Sequence, residues 1–238
     1  MKTLKVLSAL LCYPHPEMQA ALGEMAEALE EERLLPERER QALRTLMRQM
    51  AQTDVMELQE RYIRLFDRGR VLSLHLFEHL HGESRDRGQA MVDLLEVYRQ
   101  HGFELNAREL PDYLPLFLEY LAQRPQEEAV ELLADAMHII ALLGARLAER
   151  DSDYHVVFEA LSTLVGEPVD IADIRRQVAD EGPDQTVVNM DQIWEEEAVT
   201  FLGNQEGCGM NRPMPGAPQP MQWVPPSGSW QQPAVQSG

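Results

Sequence analysis

The sequence predicts an all-α protein: a single-domain bundle of about nine to eleven helices over residues 1–202, followed by a disordered tail over 203–238. Apolar residues, mainly Leu, Ala and Met, recur every three or four positions, and the alternation typical of strands is absent. Prolines and glycines interrupt this pattern at spacings that suit short helices. The tail is rich in Pro, Gly and Gln and has no apolar period, so it cannot offset the entropy of ordering.

The apolar pattern divides the chain into successive helices. A first core helix lies within Met1–Pro14, and the segment from Val130 to Leu147 predicts the longest helix. Asp54, and Asp151 or Ser152, are suitable N-cap residues. The remaining apolar faces are Met18–Leu29, Leu43–Met50, Val55–Leu65, Met91–Tyr98, Leu114–Leu121, Tyr154–Val165 and Ile193–Leu202.

The N-terminal apolar run follows two lysines but stops at Pro14 without a small-residue cleavage site, which favours a core helix over a signal peptide. No run approaches the roughly 20 apolar residues that a membrane span requires, so membrane insertion is not expected. Cys12 and Cys208 form no metal or redox motif, and a reducing cytoplasm is the simplest setting for them.

The chain is strongly acidic. Its formal net charge is −19, from 40 acidic and 21 basic residues. Such a surface repels nucleic acid and anionic lipid and attracts basic partners. Residues 61–108 are an exception, because arginines balance the acidic residues there.

Motifs of enzymes are absent from the sequence. There is no Gly-x-Ser-x-Gly elbow, no Walker loop and no Gly-x-Gly-x-x-Gly fingerprint. Gly82 to Gly88 has the spacing of a phosphate-binding loop but lacks the Lys-Ser/Thr that would follow, so a turn between helices is expected. We therefore expect no catalytic, cofactor-binding or metal-binding residues.

A histidine cluster leaves one alternative open. His75 and His79 are four residues apart and would share a helix face, with Glu78, His81 and Glu83 nearby. This is metal-ligand spacing, although no distant ligand set completes the site. Hydrogen-bonding roles are favoured for these histidines, and a metal-dependent protein remains the alternative.

Two other polar patterns have both a structural and a functional interpretation. The central arginines, with Asp67, Glu83, Asp86 and Glu109, are typical of interhelical ion pairs, but could also form a groove for a partner peptide. In the run Glu109–Tyr113, Pro111 and Asp112 suit the start and the cap of the following helix, and a direct functional role of this run is the alternative.

Three strings of residues carry a family resemblance: Phe66-Asp67-Arg68-Gly69-Arg70, the run from Glu83 to Leu95, and Trp194-Glu195-Glu196-Glu197. Over roughly Leu4 to Leu202, the chain resembles the delta-chain family of nitrate reductase assembly chaperones, within the wider TorD-like group. That group has a Glu-Pro-x-Asp-His signature. Here Glu109, Pro111, Asp112 and Tyr113 correspond to it, with the proline displaced by one position and Tyr in place of His.

The resemblance implies a non-enzymatic cytoplasmic chaperone without a cofactor of its own. Its expected partner is the apo catalytic alpha subunit of membrane-bound nitrate reductase, bound through its N-terminal segment and kept competent for molybdenum cofactor insertion. Proteins of cofactor biosynthesis are possible further partners, and the chaperone is absent from the finished enzyme. The candidate partner-binding residues are Arg68, Arg70, Glu83, Arg85, Glu109, Pro111, Asp112, Tyr113, Trp194, Glu195, Glu196 and Glu197.

A general adaptor that binds through the tail is the remaining alternative. Met210, Met214, Met221, Trp223 and Trp230 lie in the tail and could form a weak contact site, although most such tails are simply solvated.

Overall fold

The computed structural model describes residues 1–81, 85–105 and 109–166, together with Ile174 and Val178. These residues form ten α-helices and one π-helical turn, and the all-α prediction is confirmed for them. The expected last helix over Ile193–Leu202 and the tail over 203–238 lie outside the described residues. The helices are α1 (Lys2–Leu10), α2 (Pro16–Glu32), α3 (Glu37–Gln52), α4 (Val55–Tyr62), α5 (Leu76–His81), α6 (Arg85–Gln100), α7 (Leu114–Ala122), α8 (Gln126–Asp135), α9 (Met137–Glu149) and α10 (His155–Val165), with the π-helical turn at Ile63–Asp67.

Helix α1 lies at the centre of the core. Leu4, Leu7 and Leu10 on this helix are almost wholly buried, and α1 packs against both α2 and α7. Each buried leucine contributes about 1.5–3 kcal/mol of transfer free energy. The Ser8 hydroxyl donates to the Pro115 carbonyl over 2.7 Å, which ties α1 to the start of α7. None of the described helices is long and apolar enough to cross a bilayer.

One predicted helix cap is confirmed and another is wrong. Asp54 is the N-cap of α4, as expected, and its carboxylate accepts from the Met56 amide over 2.9 Å. Asp151 and Ser152 do not cap α10, whose N-cap is Tyr154. Their own amides instead bond back to carbonyls of α9, with Asp151 at a φ of 52°, so they terminate the preceding helix.

The prediction of one long helix from Val130 to Leu147 is wrong, because this segment forms parts of two helices that meet at Ala136. The Ala136 backbone has φ −92° and ψ −3°, and its amide bonds to Leu133, three residues back. One tight residue of near-helical geometry preserves the apolar phase, so Leu133 and Ile140 both face the core. The periodicity therefore continues through a turn that neither Pro nor Gly marks.

Helices α9 and α10 approach closely at Gly144. A Cβ atom on Gly144 would lie 2.9 Å from the Cβ of Phe158, which is closer than carbon atoms pack. Phe158 is buried, so neither side chain can turn aside. The absence of a side chain at residue 144 is what permits this contact.

We expect Gly144→Ala to destabilise the protein although alanine favours helices. The propensity gain is about 1 kcal/mol, whereas overpacking a core costs about 1–3 kcal/mol, so a net loss of about 1 kcal/mol should result. Free energies of unfolding from urea titrations would measure it.

Gly23→Ala is the matched control, because Gly23 lies on α2 and a Cβ atom added there would have no neighbour within 4 Å. This change should stabilise the protein by about 0.5–1 kcal/mol. Equal effects of the two substitutions would contradict the close contact of α9 and α10.

Candidate functional site

A cleft of about 630 Å³ opens between the π-helical turn, the loop that follows it and the segment before α7. Its volume lies within the range of ligand and peptide-anchor pockets, about 300–1,000 Å³. Both signs of charge occur in its lining, together with several aromatic rings. The lining residues are Tyr13, Tyr62, Ile63, Phe66, Asp67, Arg68, Gly69, Arg70, Ser73, Leu74, His75, Glu78, Glu109 and Tyr113.

Aromatic side chains form the apolar part of the cleft. The rings of Tyr13 and Tyr62 meet edge to face with centroids 5.6 Å apart, and Tyr62 lies 5.0 Å from Phe66. Phe66 rests in turn on the buried Tyr154, at 5.2 Å. Such pairs contribute about 0.5–1.5 kcal/mol each beyond the free energy of burying their surface, so the packed rings hold one another in place.

The π-helical turn presents Phe66 to this surface. The Arg68 amide bonds to the Ile63 carbonyl five residues back, over 3.1 Å. A π-turn accommodates one extra residue per turn and shifts the side chains that follow it, and such turns are frequent at functional sites. Tyr62, just before the turn, and Phe66, within it, both line the cleft.

Asp112 holds the walls of the cleft together from behind. Its side chain is fully buried, and Oδ2 accepts from the Phe77 amide over 3.1 Å. Oδ1 accepts from Nδ1 of His75 over 3.2 Å, and the Arg87 guanidinium lies 3.8 Å from Oδ2. Arg87 also pairs with Glu78, at 3.1 Å. One carboxylate thus joins α5, α6 and the segment before α7.

The expectation that Asp112 caps the following helix is wrong. The N-cap of α7 is Tyr113, and its side chain makes no cap hydrogen bond. Asp112 instead serves the first turn of α5, which lies 35 residues away in sequence, through the Phe77 amide. A carboxylate is favourable there because it satisfies a free amide at the positive end of a helix.

Backbone hydrogen bonds fix the same two segments against each other. The Leu114 amide donates to the Leu74 carbonyl over 2.8 Å, and the Leu76 amide donates to the Asp112 carbonyl over 3.0 Å. These bonds frame an antiparallel bridge between His75 and Tyr113. The Tyr98 hydroxyl, from α6, donates to the Pro111 carbonyl over 2.8 Å. His75 and Tyr113 are therefore presented to the cleft side by side.

The charges of this network shift the pKa values of its members. Burial alone would raise the pKa of the Asp112 carboxyl, but the hydrogen bond and charge of His75, the Phe77 amide and Arg87 together hold it below its usual value. The hydrogen bond to Asp112 raises the pKa of His75 despite burial. Burial lowers the pKa of His79, whose Nε2 donates to the Ser73 carbonyl over 2.8 Å.

These contacts confirm the hydrogen-bonding roles favoured for His75 and His79. The side chain of His81 lies outside the described residues, as does Glu83. His75 is turned to Asp112 and His79 to the Ser73 carbonyl, so each ring has a partner within the fold.

The structure brings part of the predicted partner-binding set together. Arg68, Arg70, Glu109 and Tyr113 all line the cleft. Pro111 and Asp112 are buried behind it and shape its wall. Arg85 begins α6, and its side chain is not described. Glu83, Trp194, Glu195, Glu196 and Glu197 lie outside the described residues.

The sequence did not identify the aromatic residues Tyr13, Tyr62 and Phe66 as part of the site, nor Arg87 as a neighbour of Asp112. Tyr13 lies far along the chain from the rest of the cleft, and Tyr62 matches an ordinary core position of a helix. Phe66 stands out only as part of a motif, and Arg87 only as one of several arginines. The repeated tyrosines next to charged turns were the available signal, but their convergence depends on tertiary packing.

Comparison with known proteins gives a consistent result. Residues 15–160 match the family model described as nitrate reductase delta subunit. The nitrate reductase molybdenum cofactor assembly chaperone NarJ of Escherichia coli strain K12 is 50% identical over 209 residues, which cover 88% of each chain. NarW of the same strain, named a probable chaperone of this kind, is 41% identical over 87% of each chain. A probable NarJ of Bacillus subtilis strain 168 is 32% identical over 68% of this chain and 89% of its own.

We expect Asp112→Ala to destabilise the protein by about 2–4 kcal/mol, because it leaves the Phe77 amide, His75 and Arg87 without their shared acceptor. Asp135→Ala removes an exposed carboxylate from the end of α8 and should change stability by less than about 0.5 kcal/mol. Urea unfolding at neutral pH compares the two, and similar small effects would contradict a structural role for Asp112.

The two histidines should give opposite pH dependences of stability near pH 6.5. The raised pKa of His75 contributes stability that is fully present below its unfolded pKa and is lost as pH rises through its folded pKa. The lowered pKa of His79 contributes stability that is present above its unfolded pKa and is lost as pH falls. Urea unfolding of His75→Gln and His79→Gln between about pH 5.5 and 8 tests this, since both unfolded pKa values lie near 6.5.

The quantity to compare is the free energy of unfolding of His79→Gln minus that of His75→Gln, because titrations common to both variants cancel. This difference should fall steadily as pH rises. A flat or rising difference would show that the two rings do not have the environments described.

Proposed function

Because this chain belongs to the nitrate reductase delta subunit family, we propose that it is an assembly chaperone of membrane-bound nitrate reductase. It keeps the apo catalytic subunit competent for molybdenum cofactor insertion and is not part of the finished enzyme. Identity of 50% to the Escherichia coli chaperone, over 88% of both chains, supports this assignment. The family resemblance inferred from the sequence is confirmed.

The main support for the mechanism is the cleft, whose lining combines aromatic rings with charged side chains of both signs. The aromatic residues Tyr13, Tyr62 and Phe66 line the cleft beside Arg68 and Glu109, which supply charges of both signs. Pockets that combine apolar walls with a few convergent polar groups suit peptide anchors. We infer that part of the N-terminal segment of the alpha subunit occupies this cleft.

The overall charge favours a basic client segment. The formal net charge of −19 steers cationic groups to the protein from a distance and raises the association rate at low salt. The acidic run Glu195–Glu197, beside Trp194, is a further proposed contact that lies outside the described residues. Moderate affinity is expected, because a chaperone must release its client.

The predicted partner-binding residues divide into two roles under this proposal. Arg68, Arg70, Glu109 and Tyr113 line the cleft and would contact the client directly. Asp112 is fully buried, so it acts through the residues that it positions, above all His75. Pro111 supports the wall through its carbonyl, which accepts from Tyr98.

The proposal includes a non-catalytic role in the cytoplasm. The names of the relatives describe molybdenum cofactor assembly chaperones of nitrate reductase, which supports a non-catalytic role. Proteins of molybdenum cofactor biosynthesis are proposed as additional transient partners. Nucleic acid is not a proposed partner, because the formal net charge of −19 repels its phosphates, and membrane insertion is not part of the proposal.

Calorimetric titration with a synthetic peptide of the alpha-subunit N-terminus tests peptide capture. Titrations at low and high salt compare conditions in which the Debye length falls from about 30 Å to about 3 Å. We expect saturable binding that weakens as salt rises. No binding at either salt would contradict peptide capture by this protein.

Glu109→Gln locates the electrostatic contribution in the cleft, since it removes one charge from the lining without changing its shape. It should weaken binding at low salt and reduce the salt dependence. Glu159→Gln makes the same change at an exposed position on α10 and should have little effect. Equal responses of the two variants would mean that only the overall charge matters.

A further inference from the structure

The hydroxyl groups of Tyr62 and Tyr113 form a hydrogen-bonded chain whose direction is fixed. The Tyr62 oxygen lies 3.0 Å from the Leu11 carbonyl oxygen and 2.9 Å from the Tyr113 oxygen. A carbonyl oxygen can only accept, so the Tyr62 proton must point to Leu11. Tyr62 then has only lone pairs to offer to Tyr113, and the Tyr113 hydroxyl must be the donor of the second bond.

The opposite direction would be costly. If Tyr62 donated to Tyr113, a hydroxyl oxygen and the Leu11 carbonyl oxygen would face each other at 3.0 Å in a buried place, with no proton between them. An unsatisfied buried acceptor costs about 1–3 kcal/mol. Tyr62 is largely buried and its ring is held against Tyr13 and Phe66, so the hydroxyl cannot swing to solvent.

The direction of the chain decides what Tyr113 offers to the cleft. Its only proton is committed to Tyr62, and Tyr113 lines the cleft. Its oxygen therefore presents a lone pair and no proton. Burial raises the pKa of Tyr113 to about 12, so the group remains a neutral hydroxyl at physiological pH.

The surroundings of this oxygen favour a positively charged donor. The Glu109 carboxylate, which also lines the cleft, is close enough to raise the pKa of Tyr113. Aromatic rings attract cations through their quadrupoles, and Tyr13 belongs to the same lining. Arg68 and Arg70 line the cleft as well, but the carboxylates of Asp67, Glu78 and Glu109 outnumber them.

We propose that Tyr113, oriented by Tyr62, is a specificity-determining residue of the cleft that accepts a hydrogen bond from a cationic N–H group of the client segment, the head group of an arginine or a lysine. This inference rests on the proposed function and adds the side chain that the cleft selects. Tyr62 acts as a positioning residue, because its oxygen accepts the hydrogen bond from the Tyr113 hydroxyl, whose proton would otherwise turn toward the client.

A double-mutant cycle by calorimetry tests the contact. The protein carries Tyr113→Phe, which removes the acceptor and keeps the ring. The probe is the synthetic alpha-subunit N-terminal peptide, with each basic residue replaced singly by norleucine. We expect Tyr113→Phe to weaken binding of the unmodified peptide about tenfold, as for a hydrogen bond with a charged partner. For the one peptide that lacks the contacting basic residue, the same substitution should change affinity by less than about twofold.

Two further variants separate specificity from folding. Tyr120→Phe removes a buried hydroxyl outside the cleft, one that bonds to His101, and should leave peptide affinity unchanged. Tyr62→Phe keeps the Tyr113 hydroxyl but removes the acceptor of its proton. The proton can then turn toward the client, so this variant should also bind the cationic peptide more weakly. Thermal melting of each variant shows whether the fold is retained.

The outcomes are distinguishable. If the peptide binds the unmodified protein and Tyr113→Phe binds it equally well, this inference is overturned and the proposed function stands. If Tyr113→Phe weakens all the peptides alike, the hydroxyl contributes to the shape of the cleft and does not select a cation, which also overturns the inference. Absence of binding to the unmodified protein would overturn the proposed function and the inference together.

Discussion

The architecture of the cleft depends on the buried carboxylate of Asp112. Removing a carboxylate from water is costly, and here the cost is offset by an imidazole and an amide from the start of α5 and by a guanidinium from α6. The lowered pKa of Asp112 and the raised pKa of His75 show that the charged forms are favoured in the fold. Because these partners lie at the start of α5 and on α6, and Asp112 itself lies in the segment before α7, one carboxylate sets the relative position of all three.

The polar side of the cleft follows from that arrangement. The bridge between His75 and Tyr113 brings the start of α5 beside the start of α7, and Tyr113 then reaches Tyr62 on α4. Phe66, four residues after Tyr62, belongs to the same surface. The result is a site in which the polar groups are held by the fold before a client arrives, so little ordering entropy has to be lost on binding.

Much of the fold could be predicted from the sequence, because apolar periodicity reports directly on helices that bury one face. The cap at Asp54 was also predictable, because Asp54 and the Met56 amide that it accepts from are only two positions apart. The break at Ala136 was not, since a tight turn that preserves the apolar phase leaves no mark on the pattern. The target of Asp112 was also out of reach, because a cap supplied 35 residues away depends on tertiary packing.

The candidate site shows the same division. The motif around Arg68 and the run from Glu109 to Tyr113 stood out in the sequence, and the structure places them in the lining or the wall of one cleft. Tyr13 could not be assigned to it, because it precedes α2 and meets Tyr62 only through the packing of α1 into the core. The direction of the Tyr62–Tyr113 hydrogen bond likewise requires the Leu11 carbonyl, which no sequence pattern connects to either tyrosine.

The most direct test of peptide capture by the cleft is NMR of the tyrosine rings during titration with the alpha-subunit peptide. The sequence has six tyrosines, so the spectrum is simple and contains its own controls. We expect the ring signals of Tyr13, Tyr62 and Tyr113 to shift on binding, while those of Tyr98 and Tyr120, outside the cleft, remain in place. Saturable binding that leaves the three cleft tyrosines unmoved would contradict the claim that this cleft captures the client.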